Sequence, residues 1–272
     1  MDFFDPLRIY EAPDIIKSLM LFRRIKNELY ALLERADMPY PLRERVLHAN
    51  SGSLKVTDAH ILRRLLAEYR PETVLEVGSF LGFSTRWLLE CSKGWGAAVT
   101  AVDPNIRHRI FDDPLGFVES LNSGFVPNSL EIVRGFFGPY DDCVYYHYEH
   151  HEPKQSRDFV DRLLDGVQVI DKDWHGKYDF IFIDGNHRYE TVMSHFEIAA
   201  RLLNVGGCIV FHDALSWEGV SRALEELGAE YSGMAEVKIY GGLDRVVLNK
   251  LFGKLNDGIG VFRLLYDASA VV

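Results

Sequence analysis

Apolar residues recur along this chain with two different periods, and the alternation between them outlines a fold. Between Pro13 and Ala36, residues Ile15, Ile16, Leu19, Phe22, Ile25, Leu29 and Leu32 return every three or four positions, the spacing of one helical face, and Pro39 with Pro41 ends the pattern. Such a stripe predicts an amphipathic helix packed either on the core or on a second subunit. A second helical stretch, TDAHILRRLLAEYR, gathers Ile61, Leu62, Leu65 and Leu66 on one face, with Thr57 or Asp58 as its cap. From there short apolar runs, TVLEVG, AVTAVD, LEIVRG, YDFIFID and GGCIVFHD, read as strands. Between them STRWLLECS, RDFVDRLLDGV and HFEIAARLL read as helices, and GVSRALEELG follows the last of these strands as another. Parallel strands need crossover connections and are buried on both faces, which is how these continuous apolar runs read. The expected architecture is therefore doubly wound α/β, a mostly parallel sheet with helices on both faces. Further on, AEVKIYGG and GIGVFRLLY predict two more strands around a short helix at Asp244 to Phe252.

Two stretches interrupt the rhythm, Asn105 to Asn128 and the aromatic segment GPYDDCVYYHYEHHEPK from Gly138 to Lys154. Long loops inside a compact domain tend to be functional, and both follow strands at the end where such sheets bind ligands. The segment around Tyr140 to Tyr148 is expected to cover an acceptor. Its histidines His147, His150 and His151 lack convergent metal spacing. No linker composition separates a second catalytic unit, so the chain divides into a helical extension, 1–50, and one domain, 51–272.

Charge narrows the partners. With 40 acidic against 30 basic residues and a net charge of −10, the protein repels phosphate backbones, and no basic stretch is interleaved with aromatics. A small molecule is expected rather than nucleic acid. No apolar run approaches the ~20 residues that span a bilayer, and the acidic N-terminus lacks the layout of a secretory signal. Scattered cysteines, Cys91, Cys143 and Cys208, fit a reducing compartment, so a cytoplasmic location without membrane attachment is expected.

The chemistry concentrates at strand ends. In VLEVGSFLGFST, Glu76, Gly78 and Gly82 occupy the turn from the first strand of the alternating region into a helix that Ser84 opens. Dinucleotide folds use GxGxxG to admit a pyrophosphate. GxxxG after an acid suits a ligand with a cationic amino-acid end instead. Asp103 ends the next strand about twenty residues beyond the turn, where a carboxylate can accept both hydroxyls of a ribose. Asp184 closes YDFIFID, His187 follows three residues later, and His212 and Asp213 close GGCIVFHD. Two carboxylates converging in a cleft call for a proton or a cation between them, and hard oxygen ligands suit Mg²⁺.

The stretch KVTDAHILRRLLAEYRPETVLEVGSFLGFSTRWLLE resembles the cofactor-binding segment of class I methyltransferases of the catechol O-methyltransferase type. FIDGNHRYETVMSHFEIAARLLNVGGCIVFHDAL and GIGVF resemble the bacterial macrocin and rhamnosyl O-methyltransferase branch. The resemblance implies a Rossmann-like methyltransferase sheet with an antiparallel C-terminal strand, and S-adenosylmethionine as cofactor. It implies that Glu76 and Gly78 meet the methionine end with Val56, Phe80 and Ser84 nearby, that Asp103 holds the ribose, and that Phe136 neighbours the adenine. It further implies a divalent metal, Mg²⁺ first among candidates, at Asp184 and Asp213, and His187 as general base. Where catechol-type enzymes carry Asp-Asn, this chain has His212-Asp213, so either His212 or water supplies the third ligand. The expected function is methyl transfer to a hydroxyl of a sugar, aromatic or natural-product acceptor. Metal-independent N- or C-methylation is the main alternative. A nicotinamide-dependent oxidoreductase or a non-catalytic cofactor-binding protein fits the glycine spacing and the acid and base positions less well.

Overall fold

The computed structural model describes residues 12–38, 54–105, 113–126, 128–138, 166–171, 173–174, 176–241 and 257–265. Helices α1 (Ala12–Arg35) and α2 (Val56–Tyr69) lead into β1 (Thr73–Val77), α3 (Phe83–Ser92), β2 (Ala98–Asp103), α4 (Pro114–Asn122) and β3 (Leu130–Phe137). Then follow β4 (Gln168–Ile170), β5 (Tyr178–Ile183), α5 (Tyr189–Leu202), β6 (Leu203–Phe211), α6 (Glu218–Glu230), β7 (Ala235–Tyr240) and β8 (Ile259–Leu264).

The strands form one sheet in the order β4-β3-β2-β1-β5-β6-β8-β7. Pairs from β4 through β6 are parallel, while β8 runs antiparallel to both β6 and β7. Successive strand residues point to opposite faces. Val74, Phe180, Phe182 and Val210 thus join the core under α1, α2 and α3, whereas Leu75, Ile181, Ile183 and Ile209 join the core under α5 and α6. Both faces are covered, as the continuous apolar runs predict.

On α1, Ile25, Leu29 and Leu33 are buried in the first of these cores, while Ile16, Leu19 and Met20 stay exposed. Ser18 and His60 add a buried hydrogen bond of 2.8 Å between α1 and α2.

Three local expectations change. The cap of α2 is Lys55 rather than Thr57 or Asp58, and Asp58 is fully buried in the first turn with a different task. The stretch expected as loop from Asn105 to Asn128 contains α4. Asp113 caps it by accepting from the Gly116 amide at 3.0 Å, and Pro114 fits the first turn because it needs no amide donor there. Residues 168–170 form an edge strand too short to carry a periodic signal. The Asp244 to Phe252 helix, most of RDFVDRLLDGV and the aromatic segment after Gly138 lie outside the described residues.

Candidate active site

Register brings the predicted strand-end residues into line. Val102, Val77, Ile183 and Phe211 are neighbours across β2, β1, β5 and β6. Hydrogen bonding continues one residue past these strands, with Gly78 N donating to Val102 O at 2.8 Å, Asp184 N to Val77 O at 2.8 Å and His212 N to Ile183 O at 3.0 Å. Asp103, Gly78, Asp184 and His212 therefore stand side by side along the carboxyl edge. From β1 the chain winds towards β2 and β3, and from β5 towards β6, so the crevice between Gly78 and Asp184 is the switch point where doubly wound sheets bind ligands.

On the β1 side, Gly78 has φ +94°, a conformation that favours glycine. Phe80 follows in the left-handed region at φ 46°, which turns its amide toward Asp103 Oδ2 at 2.9 Å. Asp103 Oδ1 accepts from Asn105 N at 2.7 Å. Burial pushes the Asp103 carboxyl up, against the pull of these backbone donors. Each of its oxygens keeps a further lone pair, enough for a vicinal diol.

Glu76 is fully buried, and burial pushes its pKa up to about 8 against the Ser84 and Thr85 hydroxyls on the first turn of α3. Its Oε1 has no hydrogen-bond partner. A buried acid with an orphaned oxygen at the start of the crevice is complementary to a cationic ligand. Thr85, which donates to Glu76 Oε2 at 2.5 Å, went unnoticed in the sequence because it lies inside a helical pattern. Val56 opens α2 and Phe136 lies near the end of β3, both half-buried.

On the β5 and β6 side the acids and imidazoles converge. His212 Nδ1 lies 3.0 Å from Asp184 Oδ1 and 3.4 Å from Asp213 Oδ2, and His187 Nε2 lies 2.8 Å from Asp213 Oδ2 and 3.8 Å from Asp184 Oδ1. Asp213 itself holds a left-handed φ of 62°, a strained backbone for an aspartate. Burial disfavours every charge here, yet the pairs outweigh it. Asp184 and Asp213 are held below the usual carboxylate range, His212 well above the usual imidazole range, and His187 is raised to about 9. His187 therefore carries a proton at neutral pH unless the charge of the two carboxylates is compensated.

The donor set fits a divalent ion. Asp184, His212 and Asp213 each offer a ligand atom, and these atoms all lie within 4.8 Å of one another. Two carboxylates and a buried imidazole form a recognised class of site for such ions.

Neighbours that sequence reasoning missed hold this side in place. Ser216 Oγ donates to Asp213 Oδ1 at 2.5 Å. Trp217 stacks on His187 with ring centroids 5.0 Å apart and planes at 18°. At Gly219 a Cβ would meet His187 O at 2.2 Å, so only glycine lets α6 approach His187 this closely. Beneath the edge, His195 is buried with neither ring nitrogen hydrogen-bonded. Burial depresses its pKa to about 4.

A doubly wound sheet with one antiparallel strand beside β6, and with acids at the carboxyl ends of β1, β2 and β5, is the Rossmann-like fold of class I methyltransferases. The chain belongs to the methyltransferase domain family, whose model matches residues 75–214. In fold it is similar to an O-methyltransferase from Bacillus cereus in complex with S-adenosylhomocysteine, at 15% identity and TM-score 0.54, covering 89% of this chain and 90% of that one. It is similar as well to a Podospora anserina methyltransferase bound to S-adenosylhomocysteine, at 13% identity and TM-score 0.53, over 88% of each chain. A third likeness is to an O-methyltransferase of Streptomyces achromogenes involved in tomaymycin synthesis, in complex with S-adenosylmethionine, at 15% identity and TM-score 0.52, covering 96% of this chain and 99% of that one. Among curated proteins, an uncharacterized protein of Acanthamoeba polyphaga mimivirus is 25% identical over 164 residues, which span 57% of this chain and 58% of that relative. Among the described residues no helix is long and apolar enough to cross a membrane.

Proposed function

We propose that this protein transfers a methyl group from S-adenosylmethionine to a hydroxyl of a small acceptor, assisted by a divalent ion. The observation that carries the reading is the single row formed by Asp103, Gly78, Asp184 and His212, with the unpartnered Oε1 of Glu76 beside it. It supports a donor lying across β1 and β2, with Glu76 meeting its ammonium end and Asp103 its ribose. The transferable methyl then faces the Asp184, Asp213 and His187 side. The family match and the O-methyltransferase neighbours bound to S-adenosylhomocysteine or S-adenosylmethionine support the same reading.

The reaction is an in-line displacement. The acceptor oxygen forms a bond to the methyl carbon as the carbon–sulfur bond breaks, leaving S-adenosylhomocysteine, and the hydroxyl proton passes to His187. Most of the protein's contribution is alignment of donor and acceptor. Asp184, Asp213 and His212 would hold the ion, which when bound polarises the acceptor hydroxyl and offsets the carboxylate charge. Trp217 fixes the plane of His187, and Gly219 lets α6 support the backbone beneath it.

The test is turnover of a hydroxylated acceptor together with calorimetry of S-adenosylhomocysteine binding. We expect micromolar binding, loss of turnover on exhaustive chelation with recovery on adding a divalent ion, and near-abolition of turnover by Asp184→Asn or Asp213→Asn with donor binding retained. Full turnover after chelation, with Asp213→Asn near normal, would turn the reading to metal-independent transfer. Tight NADH binding without any response to S-adenosylhomocysteine would overturn the cofactor. The exposed Ile16, Leu19 and Met20 on α1 also favour a second copy of the chain as partner. A concentration-dependent mass that Met20→Glu abolishes is the expected result.

A further inference from the structure

His212 lies between two sets of carboxylates. Its Nδ1 faces Asp184 and Asp213, while Nε2 points the other way, 3.5 Å from Asp58 Oδ2. Nε2 is buried and has no hydrogen-bond partner, and the residue is only 4% exposed. Asp58 is 0% exposed, and its oxygens are held in place by the amides of Asp257 at 2.8 Å and Gly258 at 3.1 Å. Asp257 lies on the same side of the ring, within ligand distance of Asp58 and His212, and pairs with Lys55 at 3.9 Å. A buried carboxylate pinned by two backbone donors and aimed at an orphaned imidazole nitrogen is more than a fastening for a turn. A ring that ligates an ion through one nitrogen generally donates its other N–H to a carboxylate, which selects the tautomer and strengthens the ligating nitrogen.

We propose that Asp58 is the outer carboxylate of a metal–histidine couple: it accepts the Nε2 proton of His212, leaves the Nδ1 lone pair toward Asp184 and Asp213, and thereby tunes the site to divalent ions that accept nitrogen, such as Co²⁺ or Zn²⁺, over Mg²⁺. This rests on the reading that Asp184, His212 and Asp213 hold an ion. It refines the sequence expectation, because Mg²⁺ favours all-oxygen sets whereas imidazole raises affinity for later first-row ions. Asp58 is thus a positioning residue, acting on the ion through His212.

The experiment is titration of the chelator-stripped full chain with Co²⁺ and with Mg²⁺, read by heat and by the visible absorption of bound Co²⁺. Wild type is expected to bind Co²⁺ at least ~10-fold more tightly than Mg²⁺. Asp58→Asn should weaken Co²⁺ by ~10–100-fold and shift its spectrum, with a much smaller change for Mg²⁺ and with S-adenosylhomocysteine binding retained as proof of folding. His212→Asp, which needs no change at Asp58, should reverse the preference toward Mg²⁺ and remove the nitrogen signature, and it decides the question should Asp58→Asn fail to fold. Unchanged Co²⁺ affinity and spectrum in folded Asp58→Asn, equal affinity of wild type for both ions, or an unreversed order in His212→Asp each overturn the proposal while leaving the ion site standing. No uptake of either ion, with S-adenosylhomocysteine still bound, overturns the proposal and the ion-assisted part of the function but leaves methyl transfer itself intact.

Discussion

Gly78 and Asp184 touch so closely that a Cβ on the glycine would lie 2.2 Å from the Asp184 carbonyl oxygen. Neither backbone is free to yield, since each amide is tied into the ladder at 2.8 Å. Gly78→Ala adds a strained left-handed conformation to this collision. We expect a loss of roughly 3 kcal/mol or more in stability and at least a tenfold loss in S-adenosylhomocysteine affinity, measured by thermal melts and calorimetry. Wild-type affinity in this variant would remove the turn from the cofactor site.

Glu76 makes the ligand-free protein sensitive to mild alkali. Its folded pKa of about 8 lies above the ordinary 4.5, so the protonated form favours the fold. That contribution is complete below about pH 4.5, declines as pH rises toward 8 and is gone above it. Glu76→Gln should be more stable than wild type at pH 8 by a few kcal/mol, or ~5 °C and upward in Tm, with the difference vanishing near pH 4.5. It should bind S-adenosylhomocysteine poorly at every pH. Parallel melting profiles for the two proteins would show the acid to be solvated in the empty site.

His195 acts in the opposite direction. Burial lowers its pKa to about 4 from 6.5, so the neutral ring favours the fold. The stability it contributes is present above pH 6.5 and is lost as pH falls through 4, a change of about 3 kcal/mol. His195→Phe keeps a ring in the slot and should flatten that part of the acid profile in denaturant titrations at pH 7 and pH 4. An unchanged slope would mean that the imidazole finds a proton acceptor in solution.

Trp217 should matter to rate more than to binding. Removing the ring that stacks on His187 frees the imidazole to rotate, so Trp217→Ala should lower kcat about tenfold with KM changed less than about threefold. Trp217→Phe should restore most of the loss. A Trp217→Ala variant in which only KM rises would assign the indole to acceptor binding instead.

The residues that sequence could identify are those that end an apolar run. Asp103 and Asp184 directly follow buried Val102 and Ile183, Asp213 stands two residues past buried Phe211, and Glu76 lies one residue before the end of β1; strand ends in a doubly wound sheet lie on one edge whatever the loops do. Asp58 reads as a helix cap because its local setting is a first turn, while its partners are fixed by tertiary folding. Trp217 and Ser216 sit in a turn with no periodicity, and their value lies in contacts with His187 and Asp213 made only by that turn's shape. The charge of His187 was equally hidden, since it depends on two carboxylates at distances no spacing encodes. Helix α4 escaped notice because its Asp-Pro start reads as a turn until the following apolar residues find a core.

The amides that Asp58 holds belong to residues 199 and 200 positions further along the chain. At ~5–20 residues per second, synthesis leaves that aspartate waiting roughly 10–40 s for its partners, and a carboxylate cannot stay buried unpaired for so long. The turn of β1 and its helix can close early on local contacts, but the acceptor half of the site must stay open to water until the last strand threads in beside β6. Birth order thus separates the two halves of the proposed site, and on that reading a nascent chain stalled before β8 would hold the donor half without the acceptor half.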